Sequence, residues 1–121
     1  MHDPKLLEVA GPAAEGAVFS VPTYDPTSTD PTVNKFVAAY RAKYGSEPDA
    51  FAATGYDSLR VLAEAIRLSN GKTPQEIQKG MTLVRNFPGP SGTVTFDRDG
   101  DVQKPLMLLT IQNGKFVPLL R

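Results

Sequence analysis

The spacing of apolar residues predicts one long helix at the centre of the chain. Across residues 49–70 apolar side chains recur every three or four positions, which is the period of a single helical face. Asp49 is a suitable N-cap and Gly71 a suitable left-handed stop for this helix. We therefore expect a helix of roughly 20 residues whose buried side is formed by Ala52, Tyr56, Leu59, Leu62, Ala63, Ala65 and Ile66.

The opposite side of the same helix carries charges at helical spacing. Acids and bases alternate one turn apart, an arrangement in which each pair stabilises a helix slightly. This pattern predicts a solvent-exposed face formed by Asp57, Arg60, Glu64 and Arg67. In the first turn, Phe51 stands beside small residues, which leaves space for a ligand to approach the start of the helix.

Shorter elements surround the central helix. Capping residues and N-terminal prolines predict helices at 4–10, 31–44 and 74–81, the last of which begins with the capping box Thr73–Glu76. Residues rich in β-formers predict strands at 17–21, 93–96, 106–112 and 115–119. The strand at 17–21 has little polar character and is expected in the interior of a sheet, while Asn113-Gly114 predicts a type I′ hairpin.

Two stretches rich in glycine, proline or hydroxyl residues interrupt these elements. The segment Thr23–Asp30 predicts a linker with a possible hinge, and Asn86–Gly92 breaks regular structure. Helices and strands together give an α/β fold class, with a sheet flanked by helices and a terminal β-hairpin.

Composition excludes several classes of partner. The 121 residues include 13 basic and 13 acidic side chains, with neither sign in a block, so neither nucleic acid nor an anionic membrane is expected to bind. The absence of cysteine removes disulfides and thiolate chemistry, and no cofactor motif is present. The sequence shows neither a signal peptide nor a long apolar run, so an exported protein would have lost its signal.

Candidate catalytic and metal-binding residues do not form a recognisable site. Asp97, Asp99 and Asp101 resemble half of a calcium loop, but Gly100 and Leu108 break its pattern and favour a plain turn. His2 is the only histidine, which leaves no histidine base or zinc site. A catalytic pair of carboxylates stays open as an alternative, although no spacing selects one.

Several blocks, taken in order, resemble the C-terminal third of type I periplasmic solute-binding proteins. The most specific are AAEG at Ala13–Gly16, TGYD at Thr54–Asp57 and TFDRDGD at Thr95–Asp101. The most similar group is the branched-chain amino-acid (Leu/Ile/Val) binding proteins of ABC importers. This resemblance covers nearly the whole chain.

The resemblance implies a two-lobed periplasmic receptor that is much longer than this chain and delivers an amino acid to an ABC transporter membrane permease. It places residues 1–22 and 103–121 in the C-terminal lobe and residues 23–102 in the N-terminal lobe. Phe51 matches a ring that lines the amino-acid pocket. Thr54, Tyr56 and Asp57 are weaker ligand-binding candidates, because a buried structural tyrosine and a surface aspartate explain two of them.

The incomplete coverage of such a receptor leads to a second hypothesis about the chain. A fragment leaves sheet edges unpaired and apolar helix faces uncovered, which favours a domain-swapped homo-oligomer. The chain would then be a stand-alone truncated module whose property is self-association or partner binding, without ligand affinity. A hydrolase-like enzyme is a separate hypothesis that would require a nucleophile or an acid–base pair, and neither is identified by a motif or a spacing in the sequence.

Overall fold

The protein has an α/β fold, and the structure analysed is a computed structural model that describes residues 4–119. The predicted mixture of helices and strands is confirmed. Asp3 and His2 lie outside the described residues. Elements within that range, in chain order, are α1 (Pro4–Ala10), β1 (Val18–Pro22), α2 (Pro31–Tyr44), α3 (Ala50–Ser69), α4 (Pro74–Met81), β2 (Thr95–Phe96), β3 (Val102–Gln103), β4 (Leu106–Gln112) and β5 (Lys115–Pro118).

The chain divides into two compact units. Unit 1 combines the chain up to Thr23 with the chain from Leu106 onward, and unit 2 is the continuous segment Tyr24–Pro105. The assignment of such segments to the lobes of a longer receptor stays a prediction. None of the helices between residues 4 and 119 is long and apolar enough to cross a membrane.

Unit 1 contains a three-stranded antiparallel sheet in the order β1-β4-β5. The central strand β4 buries Ile111 completely, since this strand has a partner on each side. The expectation that β1 is an interior strand is wrong for the described part of the chain. There, β1 pairs with β4 alone, and Val18 at its start is exposed.

The β4–β5 hairpin turns at Asn113-Gly114, as predicted. Both residues have positive φ angles, 52° and 68°, as a type I′ turn requires. The Glu15 carboxylate accepts the backbone N–H of Asn113 at 2.6 Å and that of Gly114 at 3.3 Å. A side chain of the AAEG block thus holds a turn that lies at the other end of the chain.

Unit 2 is built on α2, α3 and α4. Helix α2 begins at the Asp30 cap, whose carboxylate accepts the N–H of Thr32, and ends at Gly45 with a φ of 67°. Two apolar clusters form its core. The first comprises Val33, Phe36, Val37 and Ala53, and the second comprises Val61, Ala65, Val84 and Val94.

Helix α3 confirms the predicted span but not the predicted orientation. Its N-cap is Asp49, as expected, whereas the left-handed residue at its end is Asn70, with a φ of 49°, and not Gly71. Its buried residues are Ala50, Ala53, Asp57, Val61 and Ala65. Ala65 faces inward where α4 approaches α3 closely, and Ala53 packs against residues of α2.

The apolar stripe that the sequence assigned to the buried side of α3 is therefore only partly covered: Ala65 is buried, as predicted, whereas the larger side chains reach solvent. Tyr56, Leu62 and Ile66 are exposed, and Leu59 is 70% exposed. We name these four residues the α3 stripe. The predicted charged face is wrong at Asp57, which is buried, and correct at Glu64 and Arg67, which form an exposed bidentate pair.

Helix α4 starts at the predicted capping box. The Thr73 side chain accepts the N–H of Glu76, and the Glu76 carboxylate accepts the N–H groups of Lys72 and Thr73. These backbone donors lower the pKa of Glu76, because they favour its ionised form. Near its end, α4 lies so close to α3 that a Cβ on Gly80 would overlap the carbonyl group of Ala65.

The aspartate-rich segment after α4 is a turn between two short strands. Strand β2 pairs with β3, a strand that the sequence did not predict. The Asp97 carboxylate accepts the N–H groups of Asp99 and Asp101 and the side-chain amide of Gln103. These hydrogen bonds, led by the one from Asp101, lower the pKa of Asp97 and explain the residue pattern without a metal.

Candidate functional site

The four ligand-binding candidates lie on the first two turns of α3 but face different directions. Successive helical residues are rotated by about 100°, so residues 51, 54, 56 and 57 cannot share one face. Thr54 and Asp57 line one cavity, and Tyr56 lines another. Phe51 lines neither of these two.

Phe51 is held in the first turn of α3 with its ring largely in solvent. The Asp49 carboxylate fixes this turn by accepting the N–H of Ala52 at 2.8 Å. The Phe51 side chain is 63% exposed. A large aromatic ring kept in water by an ordered helix start has apolar surface available for a ligand.

Tyr56 packs beside α2. Its ring centroid lies 5.0 Å from that of Phe36, and the Arg60 guanidinium lies 5.5 Å from the Tyr56 centroid on another side. Arg60 also stacks on Phe87 and donates to the Pro88 carbonyl oxygen at 3.2 Å. These contacts give Tyr56 a structural role between α2 and α3, although part of its ring reaches solvent.

Asp57 is buried and belongs to a polar network that the sequence did not predict. Its Oδ2 accepts both the backbone N–H and the hydroxyl of Ser91, the former at 2.9 Å. The Lys104 ammonium donates to the same Ser91 hydroxyl at 2.5 Å and lies 3.7 Å from Asp57 Oδ2. Helix α3 is thereby connected to the glycine-rich segment and to the chain just after β3.

A cavity of about 230 Å³ opens beside this network. Most of its wall is apolar, and Thr54, Asp57, Ser58 and Lys104 add polar atoms. The hydroxyl of Thr54 is already bonded to the Ala50 carbonyl oxygen. The apolar wall is formed by Val61, Met81, Val94, Phe96 and Val102.

Ser91 and Lys104 have the residue types of a serine–lysine catalytic pair, so their access to a substrate decides what they can do. Ser91 is completely buried, and its hydroxyl proton points to Asp57 rather than to Lys104. A nucleophile must reach the reacting atom and lose its proton to a base. Here burial prevents access to a substrate, and the hydroxyl proton is held by the Asp57 carboxylate instead of the Lys104 amine. The three side chains therefore have a structural role.

Comparison with protein families identifies one match that covers most of the chain. A family model described as periplasmic binding protein matches residues 1–115. Among curated proteins, the Leu/Ile/Val-binding protein homolog 1 of Brucella abortus is 30% identical over 102 residues, which are 84% of this chain and 26% of that protein.

Solved structures agree with this match. The leucine-binding protein LivK of Thermotoga maritima superposes with a TM-score of 0.80 at 34% identity, over 97% of this chain and 33% of that one. The substrate-binding protein LivJ of Streptococcus pneumoniae, solved with isoleucine, gives 0.74 at 30% identity, over 94% and 32%. The chain thus spans between a quarter and a third of the length of these relatives.

Proposed function

Since the chain belongs to the periplasmic binding protein family, we propose that it is part of the substrate-binding component of an ABC importer for branched-chain or related amino acids. Its α/β fold is that of a segment of a type I periplasmic binding protein. The proposed receptor holds an amino acid between two lobes without chemical conversion and presents it to a membrane permease in the periplasm.

The match to relatives that are named for leucine, isoleucine and valine carries this proposal. The exposed ring of Phe51 supports it, since an aliphatic side chain needs apolar surface to bind. Family membership also agrees with the expectation that the chain is not an enzyme. The polar groups that would hold the ligand's carboxylate and ammonium are expected in the longer chain of a complete receptor.

Calorimetric titration of the complete receptor that contains this chain, with leucine, isoleucine and valine, tests the proposal. We expect saturable binding that Phe51→Ala weakens by about tenfold or more, because the ring would bury apolar surface against the ligand. Tyr44→Ala is the matched control, since Tyr44 is 59% exposed at the end of another helix. Flat titrations with all three amino acids, or equal losses in both variants, would contradict capture by this chain.

A second candidate function, self-association, is favoured by the α3 stripe. Four large apolar side chains along one helical face form a contiguous patch of the kind that mediates protein contacts. A second copy could pack its own stripe antiparallel against the first, as two helices with apolar faces do. In this case the chain would be a homo-oligomer without ligand affinity.

Sedimentation velocity over a wide concentration range tests self-association. We expect a dimer that Leu59→Lys converts to monomer, because a charge in the centre of the stripe would be desolvated on contact. Leu83→Lys serves as control, since Leu83 is also an exposed leucine but lies outside α3. A monomeric chain at every concentration would eliminate this candidate.

A further inference from the structure

The sequence contains two Asn-Gly pairs, Asn70-Gly71 and Asn113-Gly114. Asparagine followed by glycine is especially prone to spontaneous deamidation, because glycine has no side chain to hinder its own backbone nitrogen from attacking the preceding side-chain amide. The function proposed above uses neither pair. The structure holds the two pairs in different ways, and this difference determines which of them depends on a distant side chain.

Deamidation begins with a ring closure. The glycine nitrogen loses its proton and bonds to the side-chain carbonyl carbon of asparagine, the bond from that carbon to the amide nitrogen breaks, and ammonia leaves. Water then opens the cyclic imide at either carbonyl, which gives aspartate or isoaspartate. The closure therefore needs a backbone N–H that is free to lose its proton and a main chain that can bend into the ring.

Asn70-Gly71 is held where α4 begins against the end of α3. The Gly71 N–H donates to the Ser69 hydroxyl at 3.1 Å and to the Ile66 carbonyl oxygen at 3.4 Å. A Cβ on Gly71 would lie 2.7 Å from the Ser69 hydroxyl oxygen and 3.0 Å from the backbone nitrogen of Ile77. Close packing and two neutral acceptors of the same helix thus keep this pair in place.

Asn113-Gly114 lacks such packing. Both residues are exposed at the tip of the β4–β5 hairpin, and a Cβ on Gly114 would meet open space. The positive φ angles of a type I′ turn favour an Asn-Gly pair, so the residues that fit the turn also make its tip chemically labile. The Glu15 carboxylate accepts both backbone N–H groups of this tip.

The backbone of Glu15 is itself fixed beside the hairpin. Its N–H donates to the Pro12 carbonyl oxygen at 3.2 Å, and the N–H of Gly16 donates to the Ile111 carbonyl oxygen at 2.9 Å. Ile111 is completely buried in β4, shortly before the turn. Only the side-chain bonds of Glu15 must therefore be ordered for its carboxylate to reach the turn.

We propose that Asn113-Gly114 is a site of spontaneous deamidation and that Glu15 suppresses the reaction there. The Gly114 N–H that must lose its proton is donated to the carboxylate, at 3.3 Å. A negative charge at that distance opposes a second one on the nitrogen, because like charges disfavour ionisation. The shorter bond from Asn113, at 2.6 Å, holds the turn in its type I′ geometry and keeps the main chain from bending into the ring.

Deamidation at this turn would damage the hairpin. Aspartate at position 113 would place a second carboxylate beside that of Glu15, and isoaspartate would add a carbon atom to the main chain between β4 and β5. The added atom would disturb the register in which Gln112 pairs with Lys115 and Thr110 with Val117. Suppression by Glu15 therefore preserves the pairing of β5 with the central strand of the sheet.

Incubation of the full chain at neutral pH, followed by tryptic digestion and mass spectrometry, tests the proposal. Trypsin places the two Asn-Gly pairs in different peptides, since Lys72 and Arg98 lie between them. In Glu15→Ala we expect deamidation at Asn113 to become at least about threefold faster, because hydrogen bonds to a charged group are lost from the turn. The rate at Asn70 should not change.

Glu15→Gln separates the charge from the shape of the side chain, because the amide keeps its length and one acceptor oxygen. Deamidation at Asn113 in this variant should be faster than in the wild-type chain and slower than in Glu15→Ala, and it provides the test if Glu15→Ala does not fold. Glu8→Ala removes an exposed glutamate of α1 and should leave both rates unchanged. Unchanged or slower deamidation at Asn113 in the Glu15 variants would overturn the proposal, and so would an equal acceleration at Asn70.

Discussion

Gly80→Ala is expected to destabilise unit 2 by about 3 kcal/mol, although alanine is the better helix former. A methyl group at this position would overlap the carbonyl group of Ala65, whose carbon would lie only 2.8 Å away. The new methyl group is bonded directly to the backbone and the Ala65 carbonyl group is part of it, so no side-chain rotation can relieve the clash. The two helices must move apart and disturb the packing of Val61, Ala65 and Val84. Urea unfolding followed by far-ultraviolet circular dichroism measures this loss.

Gly55→Ala is the matched control, because Gly55 is also a helical glycine. A Cβ there would meet open space, so only backbone entropy and propensity act. We expect a gain of about 0.5–1 kcal/mol. If both variants changed stability in the same direction, the close approach of α4 to α3 would not be a real constraint.

Asp57→Ala is expected to cost about 3–5 kcal/mol, because it leaves the Lys104 ammonium buried without its counter-charge. The Ser91 N–H and hydroxyl would lose their acceptor at the same time. The loss should appear as a lower urea midpoint with an unchanged dependence on urea concentration.

Asp99→Ala is the control, because it removes an aspartate that is exposed and not buried. Its carboxylate lies in an exposed turn, 3.7 Å from the Arg98 guanidinium, and exposed pairs contribute little. We expect its removal to change stability by less than about 0.5 kcal/mol. Similar effects in both variants would mean that the buried network does not stabilise unit 2.

Local signals in the sequence predicted the elements well. The Asp30, Asp49 and Thr73 caps, the end of α2 at Gly45 and the Asn113-Gly114 turn are each confirmed. Each depends on a few neighbouring residues, whose side chains satisfy backbone groups within the same turn. Such signals can be recognised without knowing which distant residues contact them.

The orientation of α3 could not be predicted in the same way. The face with the larger apolar residues was assigned to the interior, but the close approach of α4 requires a small side chain at Ala65. Ala53, the other small buried residue, packs against α2. The buried position of Asp57 depends on Ser91 and Lys104, which lie far away in sequence. Helical periodicity identifies faces, and only tertiary contacts decide which one is covered.

The candidate site was predictable only in part. The sequence selected the start of α3, and the structure shows an exposed ring at Phe51. The sequence did not indicate that Thr54, Tyr56 and Asp57 face different surroundings. The role of Phe51 in ligand binding stays a prediction that the titration decides.

The pairing of β1 with β4 has a consequence for the order of folding. This pairing joins residues 18–22 to residues 106–110, so all of unit 2 lies in the loop that it closes. Long loops carry an entropic cost that slows their closure, whereas unit 2 is continuous and rich in local helical contacts. During synthesis from the N-terminus, β1 must wait until β4 leaves the ribosome. Unit 2 is therefore expected to fold first, before β1 pairs with β4.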